Sequence, residues 1–274
     1  MSSATISDQK MEALEDIEII REHAEQRDYS YNEIIPRNKA NGSKKICYID
    51  GEVYHILYRG LVNDIVKGKA PIIVVNGNKR SGKSVVAMAI AYTLHNRINV
   101  CGGSWNPETN LCYDVIEYMD VIRDQIREAI ILDEAGKNLN SKDWYSALNR
   151  ANDITLETMG IMNHTHIYVS TKFSDLDSSI KKRDCYHITE HKSKENTFRV
   201  HKRIVDTSSK NFDLKKREFL GNLKINKSDL PPVDVIKGYR KKELKYKLTE
   251  HKKVRDKAYK EQKEEDEESK ADTW

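Results

Sequence analysis

Apolar residues follow two periods along this chain, and each period predicts a different kind of element. Near the amino terminus they recur every three or four positions, which predicts an amphipathic helix with an acidic opposite face. Its apolar positions are Met11, Leu14, Ile17, Ile20 and Ala24. Short continuous apolar runs, in "PIIVVN", "AIILDEA" and "HIYVST", predict buried strands instead.

Helical segments lie between these strands. The run "SVVAMAIAYTL" is apolar on nearly every side, which predicts a helix buried against a sheet. A short helix is expected at Ile65. After a short strand near 111–113, another is expected through Ile116, Met119 and Ile122. Because strands alternate with helices, the chain is expected to form an α/β fold with a mainly parallel sheet.

Two segments alternate apolar and polar residues on either side of a polar turn, which predicts β-hairpins. The first, "KICYIDGEVYHILY", turns at Asp50-Gly51, a pair that is favoured in two-residue hairpin turns. The second, "CYHITEHKSKENTFRVHKRIV", is expected to form an edge of the sheet.

The composition limits how much of the 274-residue chain packs as a core, since hydrophobic residues make up 38% and charged residues 33%. We predict an acidic helix and linker at 1–45, an α/β domain at 46–205, and a linker with a charged extension at 206–274. Between 237 and 260 the extension carries eleven bases and three acids, and an acidic end follows. This basic helical extension is expected to be either a solvated helix or an arm that binds DNA.

The four cysteines show no C-x-x-C spacing, and no cysteine and histidine cluster has the spacing of metal ligands. They are Cys47, Cys101, Cys112 and Cys185. No signal peptide and no apolar stretch of bilayer length is present in the sequence. The chain is therefore expected to be cytoplasmic with reduced thiols and no transmembrane segment, in the host cytoplasm if the protein is viral.

The segment Gly77-Asn78-Lys79-Arg80-Ser81-Gly82-Lys83-Ser84 matches the pattern G-x-x-x-x-G-K-[ST] between a predicted strand and a predicted helix. Glycines let backbone N–H groups turn towards phosphate oxygens, and the helix N-terminus adds a positive dipole. Lys83 is expected to reach the β- and γ-phosphates, and the Ser84 hydroxyl to ligate Mg²⁺. The loop is therefore predicted to bind a nucleoside triphosphate.

Two acids, Asp133 and Glu134, follow the apolar run "AIIL". A carboxylate at the end of such a strand anchors Mg²⁺ in P-loop enzymes, which is the role predicted for Asp133. Glu134 is predicted to polarise the attacking water as a general base. The alternative is that Asp133 caps the following turn and that Glu134 is solvated. With the loop beside it, the pair favours hydrolysis over phosphoryl transfer to a small acceptor.

These motifs resemble a known division of proteins. The Asp-Glu pair looks like that of the additional-strand, catalytic-glutamate division of P-loop ATPases, which includes RecA-like motors. The segment "HIYVSTKFSDLDSSIKKRDCYHI" is similar to FtsK–HerA-type DNA-pumping ATPases, and "ILDEAGKNLNSKDWYSALNRAND" resembles zonular-occludens-toxin-like ATPases of viruses and plasmids. The resemblance covers about residues 70–190.

The resemblance implies a RecA-like P-loop fold, ATP with Mg²⁺ as ligands, and DNA as a partner. It also implies a ring of identical subunits that packages or transfers a viral or plasmid genome, with a portal, capsid or membrane partner. Two other function classes stay open. One is a small-molecule or nucleotide kinase, and the other is an assembly factor that uses ATP only as a conformational latch.

The resemblance also carries roles to single residues. Those of Lys83, Ser84, Asp133 and Glu134 carry over without change. A sensor of the γ-phosphate falls on Ser170 or Thr171, with Thr171 taken as the catalytic candidate. Basic residues before that strand, which relatives often have, are missing in "TMGIMNHTH". An arginine finger that reaches a neighbouring subunit's ATP is therefore placed at Arg183, with Lys181 and Lys182 as the other candidates. The alternatives are that these residues form a solvated basic loop or that they contact DNA.

Overall fold

The computed structural model describes residues 46–49, 52–102, 104–139, 162–206 and 214–271. The chain divides into two compact units between Pro231 and Pro232. The amphipathic helix predicted within 1–45 lies outside the described residues. None of the helices in the described ranges combines the length and the apolar character that crossing a bilayer requires.

Nine strands and seven helices are described here in chain order. The strands are β1 Ile46–Ile49, β2 Glu52–His55, β3 Ile72–Asn76, β4 Leu111–Cys112, β5 Ala129–Leu132, β6 Thr165–Ser170, β7 Cys185–Glu190, β8 Thr197–Val205 and β9 Leu214–Lys224. The helices are α1 Ile56–Val66, α2 Lys83–Tyr92, α3 Pro107–Asn110, α4 Val115–Asp124, α5 Ala135–Asn138, α6 Ser178–Lys181 and α7 Val233–Ala271. A π-helical turn, Thr93–Arg97, continues α2.

Seven of the strands form one sheet in the order β4-β5-β6-β3-β7-β8-β9. The first five are parallel to one another, and β8 and β9 are antiparallel additions. The predicted α/β fold with a mainly parallel sheet is therefore confirmed. Strand β6 lies between β3 and β5, so the strand that precedes the glycine-rich loop is not adjacent to the strand that precedes Asp133.

The core lies on both faces of the sheet because the parallel strands are buried on both sides. On one face, α4 packs on β4 and β5 and reaches β6 through Tyr118, and Tyr118, Ile122, Val74, Leu132 and Tyr168 belong to one apolar cluster. The predicted helix through Ile122 is confirmed as α4, but Ile116 is 58% exposed. The buried stripe of α4 passes through Val115, Tyr118 and Ile122 instead, as the 3.6-residue period of a helix allows.

Both predicted hairpins are present. β1 pairs with β2 on either side of residues 50 and 51, and β7 pairs with β8. The second hairpin is not the edge of the sheet, because β9 pairs along the whole outer side of β8. The sequence offered little signal for β9, since ten of the eleven residues in "LKKREFLGNLK" are exposed or only half-buried and the strand lacks a buried alternate face.

Histidines and tyrosines form a buried polar cluster beside α4. His164 and His166 lie in the core, and Tyr118 Oη is 2.6 Å from His166 Nδ1 and donates to Tyr168 Oη at 2.9 Å. Burial lowers the pKa of His164 to about 4 and that of His166 to about 3, so both rings are neutral near pH 7. In the described ranges, no group of three or more His, Cys, Asp or Glu side chains is arranged to hold a metal ion.

A second buried cluster surrounds Glu128, just before β5. Its Oε2 accepts a hydrogen bond from Asn110 Nδ2 at 2.7 Å and lies 3.3 Å from His95 Nε2. That His95 nitrogen already accepts the Ala129 N–H at 2.9 Å, so it is the unprotonated nitrogen of a neutral ring. Burial raises the pKa of the Glu128 carboxyl from 4.5 to about 7, which outweighs the lowering by Asn110 and Arg127.

Because the pKa of Glu128 is raised on folding, the folded state holds this proton more tightly than the unfolded chain does. The stability that the neutral carboxyl contributes is complete below about pH 4.5 and is lost as pH rises through about 7. We expect Glu128→Gln to stabilise the protein by about 1–2 kcal/mol at pH 8 and by little at pH 5. Denaturant unfolding at both pH values, with the exposed-turn variant Glu195→Gln as control, measures this. Equal effects at both pH values would contradict it.

The second unit contains one long helix, α7. Leu244, Leu248, Val254 and Tyr259 are each more than half exposed along it. Side chains one turn apart form ion pairs within the helix, such as Lys253 with Glu250 at 3.2 Å and Lys257 with Glu261 at 3.5 Å. Exposed pairs of this kind contribute little each, about 0.3–0.5 kcal/mol.

Candidate functional site

The glycine-rich loop joins β3 to α2. The five residues of β3 are buried and lie between β6 and β7, so the point at which the chain leaves the sheet is fixed on both sides. The first intrahelical bond of α2 runs from Val86 N to Gly82 O at 3.0 Å. The N–H groups of the residues between them have no partner within the helix and face the loop. Such donors, together with the helix dipole, form an anion-binding site.

Two glycines are required by the geometry of this loop. Gly82 caps α2 with a φ of 81°, in the left-handed region that favours glycine, and a Cβ there would meet nothing within 4 Å. At Gly77 a Cβ would lie 2.7 Å from Ser81 Oγ and 3.2 Å from Glu190 Cβ. Ser81 Oγ is buried and has no hydrogen-bond partner in the described part of the chain. The loop, which we call the cradle, therefore has free space beside Gly82, and the Ser81 hydroxyl is an unsatisfied donor beside Gly77.

Lys83 reaches across this cradle. Its Nζ donates to Asn78 O at 2.6 Å. Burial lowers the pKa of Lys83, while the nearby carboxylates of Asp133, Glu190 and Glu134 act in the opposite direction. The structure therefore brings Lys83 close to both of the acids that the sequence selected, and to a third.

Asp133 and Glu134 leave the sheet at the end of β5. Asp133 is buried, and its N–H extends the ladder by donating to Cys112 O at 2.8 Å. Its Oδ1 accepts the Glu134 N–H at 2.9 Å. Glu134 is exposed and has a φ of 59°, a left-handed conformation that costs a non-glycine residue about 1–2 kcal/mol. Backbone strain of this kind is found preferentially at functional sites.

The carboxyl end of β6 lies between the loop and these acids. Ser170 is buried opposite Asn76 in the register of β3 and β6, and its hydroxyl donates to Lys172 O at 3.0 Å. A Cβ on Gly136 would lie 2.3 Å from Ser170 Oγ, so α5 approaches this residue closely. Thr171 is exposed, and its hydroxyl donates to Asp175 Oδ2 at 3.4 Å. Of the two sensor candidates, Ser170 is the one enclosed between the loop and Asp133.

Glu190 is a site residue that the sequence analysis missed. It ends β7, and its Oε2 accepts the Asn78 N–H at 3.3 Å beside Gly77. The hairpin pattern places Glu190 next to a turn, but only the pairing of β7 with β3 brings it to the loop. That pairing joins strands more than a hundred residues apart in the chain, and no local pattern reports it.

Arg183 lies apart from these residues. It precedes β7, so it is at the amino edge of the parallel strands, whereas the loop, Asp133 and Glu190 are at the carboxyl edge. The pKa of His166 is lowered mainly by burial, and the charge of Arg183 adds to this. His166 pairs with Ile72 at that same amino edge. Arg183 does not serve the site of its own chain. Its predicted role towards a neighbouring subunit's ATP stays a prediction.

The residues present fit a triphosphate with Mg²⁺. The loop offers backbone N–H groups, the Ser81 hydroxyl and the Lys83 ammonium to an anion, and the Ser84 hydroxyl and the Asp133 carboxylate are hard oxygen ligands. Mg²⁺ prefers oxygen ligands and commonly takes only one or two from the protein, with phosphate oxygens and waters completing its shell. Lys79 and Arg80 are exposed at the tip of the loop.

One further sequence match bears on the choice of nucleotide. Asn226-Lys227-Ser228-Asp229 has the N-K-x-D order with which switch GTPases read guanine. Here the two reading side chains form a capping box with each other's backbone, and Asp229 Oδ2 accepts the Asn226 N–H at 2.6 Å. Arg97 also lies 3.7 Å from Asp229 Oδ1. Because the Asn226 and Asp229 side chains are hydrogen-bonded within their own turn, this N-K-x-D segment has a structural role in this chain.

Comparison with known proteins gives only distant similarity. No protein-family model matches the sequence, and no curated protein matches it. Among solved structures, the chain is similar to the N-terminal domain of zonular occludens toxin from Neisseria meningitidis, at 14% identity and a TM-score of 0.38, over 59% of this chain and 97% of that one.

A second similar structure is a chain of the E. coli MS115-1 HORMA:CdnC:Trip13 complex, at 15% identity and a TM-score of 0.38. That match covers 71% of this chain and 66% of the other. TM-scores at this level carry no argument about function.

Proposed function

We propose that this chain is a Mg²⁺-dependent P-loop ATPase with a RecA-like domain that acts on DNA as an oligomer. The observation that carries the proposal is the meeting of three features at one edge of the sheet. They are the loop Gly77–Ser84, the Lys83 ammonium, and the acids that follow β5. In open α/β sheets, ligands bind at the carboxyl ends of the strands, where these features lie.

The strand order supports the same proposal. One strand, β6, separates β3 from β5, and it ends in the enclosed hydroxyl of Ser170. An inserted strand of this kind is what the additional-strand division of P-loop ATPases is named for. The Asp133-Glu134 pair that motivated the resemblance lies on the far side of that strand.

Each residue has a distinct part in the proposed reaction. Lys83 exchanges its hydrogen bond with Asn78 O for phosphate oxygens, and the N–H groups at the start of α2 bind the same anion. Ser84 and Asp133 would hold Mg²⁺, and the metal would supply positive charge beside the phosphates. Glu134 accepts a proton from the attacking water. Ser170 hydrogen-bonds that water or the γ-phosphate. Glu190 holds the first turn of the loop through the Asn78 N–H.

Steady-state hydrolysis with and without DNA tests this proposal. The full chain is expected to hydrolyse ATP faster than GTP in the presence of Mg²⁺, and DNA is expected to raise the rate. Lys83→Ala should abolish both basal ATP hydrolysis and its stimulation by DNA. The matched control is Lys67→Ala, at an exposed lysine just after α1. ATP consumption that requires a small acceptor would indicate a kinase, and tight ATP binding without turnover would indicate a latch.

A further inference from the structure

Arginine and aromatic side chains lie together on one face of strands β7, β8 and β9. The register places Arg203 directly opposite Arg217 and His201 directly opposite Phe219. Arg199 lies in the next row, opposite Asn222. Because side chains alternate along a strand, these rows lie on the same side of the sheet. We call this surface the arginine face, and it consists of Arg199, His201, Arg203, Arg217 and Phe219.

The positive charge of the arginine face is not balanced within the described residues. There, none of its three arginines forms an ion pair with a carboxylate. Glu218 belongs to the opposite side of β9 and pairs with Lys216 at 3.4 Å, and Asp184 accepts the Val205 N–H at 2.8 Å. Like charges directly opposite each other on neighbouring strands are destabilising. The Arg203–Arg217 pair therefore weakens the sheet unless an anion lies against it.

Two further observations show the effect of this charge. The pKa of His187 is lowered to about 3, by burial first and then by Arg217, Arg203 and His201. The pKa of His201 is lowered by burial first and then by Arg217 and Arg199. Arg203 stacks on the Phe173 ring at 4.0 Å, yet its Nη1 is buried without a hydrogen-bond partner in the described part of the chain. Arg199 and Arg217 are exposed, so their donors and charge are open to an anion, whereas the buried Nη1 of Arg203 is not.

Protection of a sheet edge explains only part of this surface. Natural edge strands often carry lysine, which prevents pairing with another sheet. That accounts for Lys215, Lys216 and Lys224 on β9. It does not account for Phe219, an aromatic side chain that is 53% exposed, or for the facing arginines. An exposed ring among arginines resembles a stacking platform more than a protected edge.

We propose that the arginine face binds single-stranded nucleic acid. Arg199, Arg203 and Arg217 would contact successive phosphates, since the planar guanidinium matches phosphate oxygens in two places. An unpaired base would stack on Phe219, whose ring contacts the His201 ring at a centroid distance of 5.3 Å and a tilt of 53°. This proposal rests on the proposed function and names the surface and the form of its DNA partner.

β7 connects this surface to the nucleotide loop. His187 lies in the same row as His201 and Phe219, and its Nε2 is 2.7 Å from Asn76 Oδ1. Asn76 is the last residue of β3 and immediately precedes Gly77. A nucleic-acid strand on the arginine face is therefore separated from the glycine-rich loop by two hydrogen-bonded side chains, those of His187 and Asn76. This contact provides a physical route by which DNA would alter the rate of hydrolysis.

Fluorescence anisotropy of a labelled oligothymidine, without nucleotide, tests the proposal on the full chain. Phe219→Ala should weaken binding by about 5- to 150-fold, the scale of one lost base stack. The double variant Arg199→Gln with Arg217→Gln should reduce the magnitude of the log–log salt slope by about 1.4, since each phosphate contact on a single strand contributes about 0.7. Lys216→Gln, which removes a charge from the opposite side of β9, is the matched control and should bind as the unaltered chain does.

Three outcomes would overturn the proposal. The first is unaltered binding by both the Phe219 and the double arginine variants. The second is an equal loss on single-stranded and duplex DNA for Phe219→Ala, because a paired base cannot stack on the ring. The third is displacement of the oligonucleotide by polyglutamate at matched charge with no effect of Phe219→Ala, which would indicate an acidic protein partner. Because the assay contains no ATP, a failed ATPase proposal, seen as ATP binding unaffected by Lys83→Ala, is distinguished from a failure here.

Discussion

Glu134→Gln is expected to slow ATP hydrolysis by about 10²–10⁴-fold while ATP binding is retained, because an amide cannot accept the proton of the attacking water. The side chain of Glu134 is exposed at the carboxyl edge of the sheet, and its backbone is held in a left-handed conformation just after the buried Asp133. Lys83 lies close enough for the Glu134 charge to act on its pKa. These features place the carboxylate at the same edge of the sheet as the glycine-rich loop.

The effect is best measured as single-turnover hydrolysis alongside nucleotide binding. Glu195→Gln makes the same chemical change in an exposed turn and should leave both quantities unaltered. A normal hydrolysis rate in the Glu134→Gln variant would show that another group activates the water. Glu190 would then be the next carboxylate to replace, since it is the third acid, besides Asp133 and Glu134, that acts on the pKa of Lys83.

Hydrolysis is also expected to rise more steeply than linearly with protein concentration. An arginine that stabilises the charge of the transition state contributes about 10³–10⁵ in rate. Within the described residues, Arg183 lies at the opposite edge of the sheet, and Arg80 is exposed at the tip of the loop. We therefore expect the site to be completed by a neighbouring subunit, so that an isolated subunit is nearly inactive.

Arg183→Ala should lower the rate within this range without weakening ATP binding. A matched control is Arg123→Ala, which removes an exposed arginine of α4 that pairs with Asp120 and Asp124 on its own helix. Rate against concentration, together with light scattering, measures the first expectation. A strictly linear dependence by a monomer would contradict it, and a full rate in Arg183→Ala would exclude that arginine as the finger.

Local patterns in the sequence were sufficient for the central part of the fold. The run before Gly77 and the run before Asp133 are continuous and apolar because β3 and β5 are buried on both faces. Such runs can be recognised in the sequence without knowing which strands pair with each other. The glycine pattern then placed the loop, since few other residue types fit the close approach at Gly77 and the left-handed backbone at Gly82.

What the sequence did not predict depends on pairing between distant segments. Glu190 reaches the loop only because β7 lies beside β3, and β9 is stabilised by its pairing with β8 more than by an apolar face of its own. Arg183 was selected because the segment before β6 lacks the basic residues that relatives often have, and its position in the fold could not be read from that pattern. The chain crosses from one edge of the sheet to the other between Ser170 and Cys185, and charge patterns do not report that crossing.

Equilibrium binding of a fluorescent ATP analogue in the presence of Mg²⁺ is the most direct test of whether Gly77–Ser84 binds a nucleotide. We expect saturable binding by the unaltered chain, by Lys67→Ala and by Glu134→Gln, and loss of that binding in Lys83→Ala. Chelation of Mg²⁺ should weaken binding to the unaltered chain, because Ser84 and Asp133 hold the nucleotide partly through the metal. Equal binding by Lys83→Ala and the unaltered chain would contradict the assignment of Gly77–Ser84 as a nucleotide site, and the proposed ATPase with it.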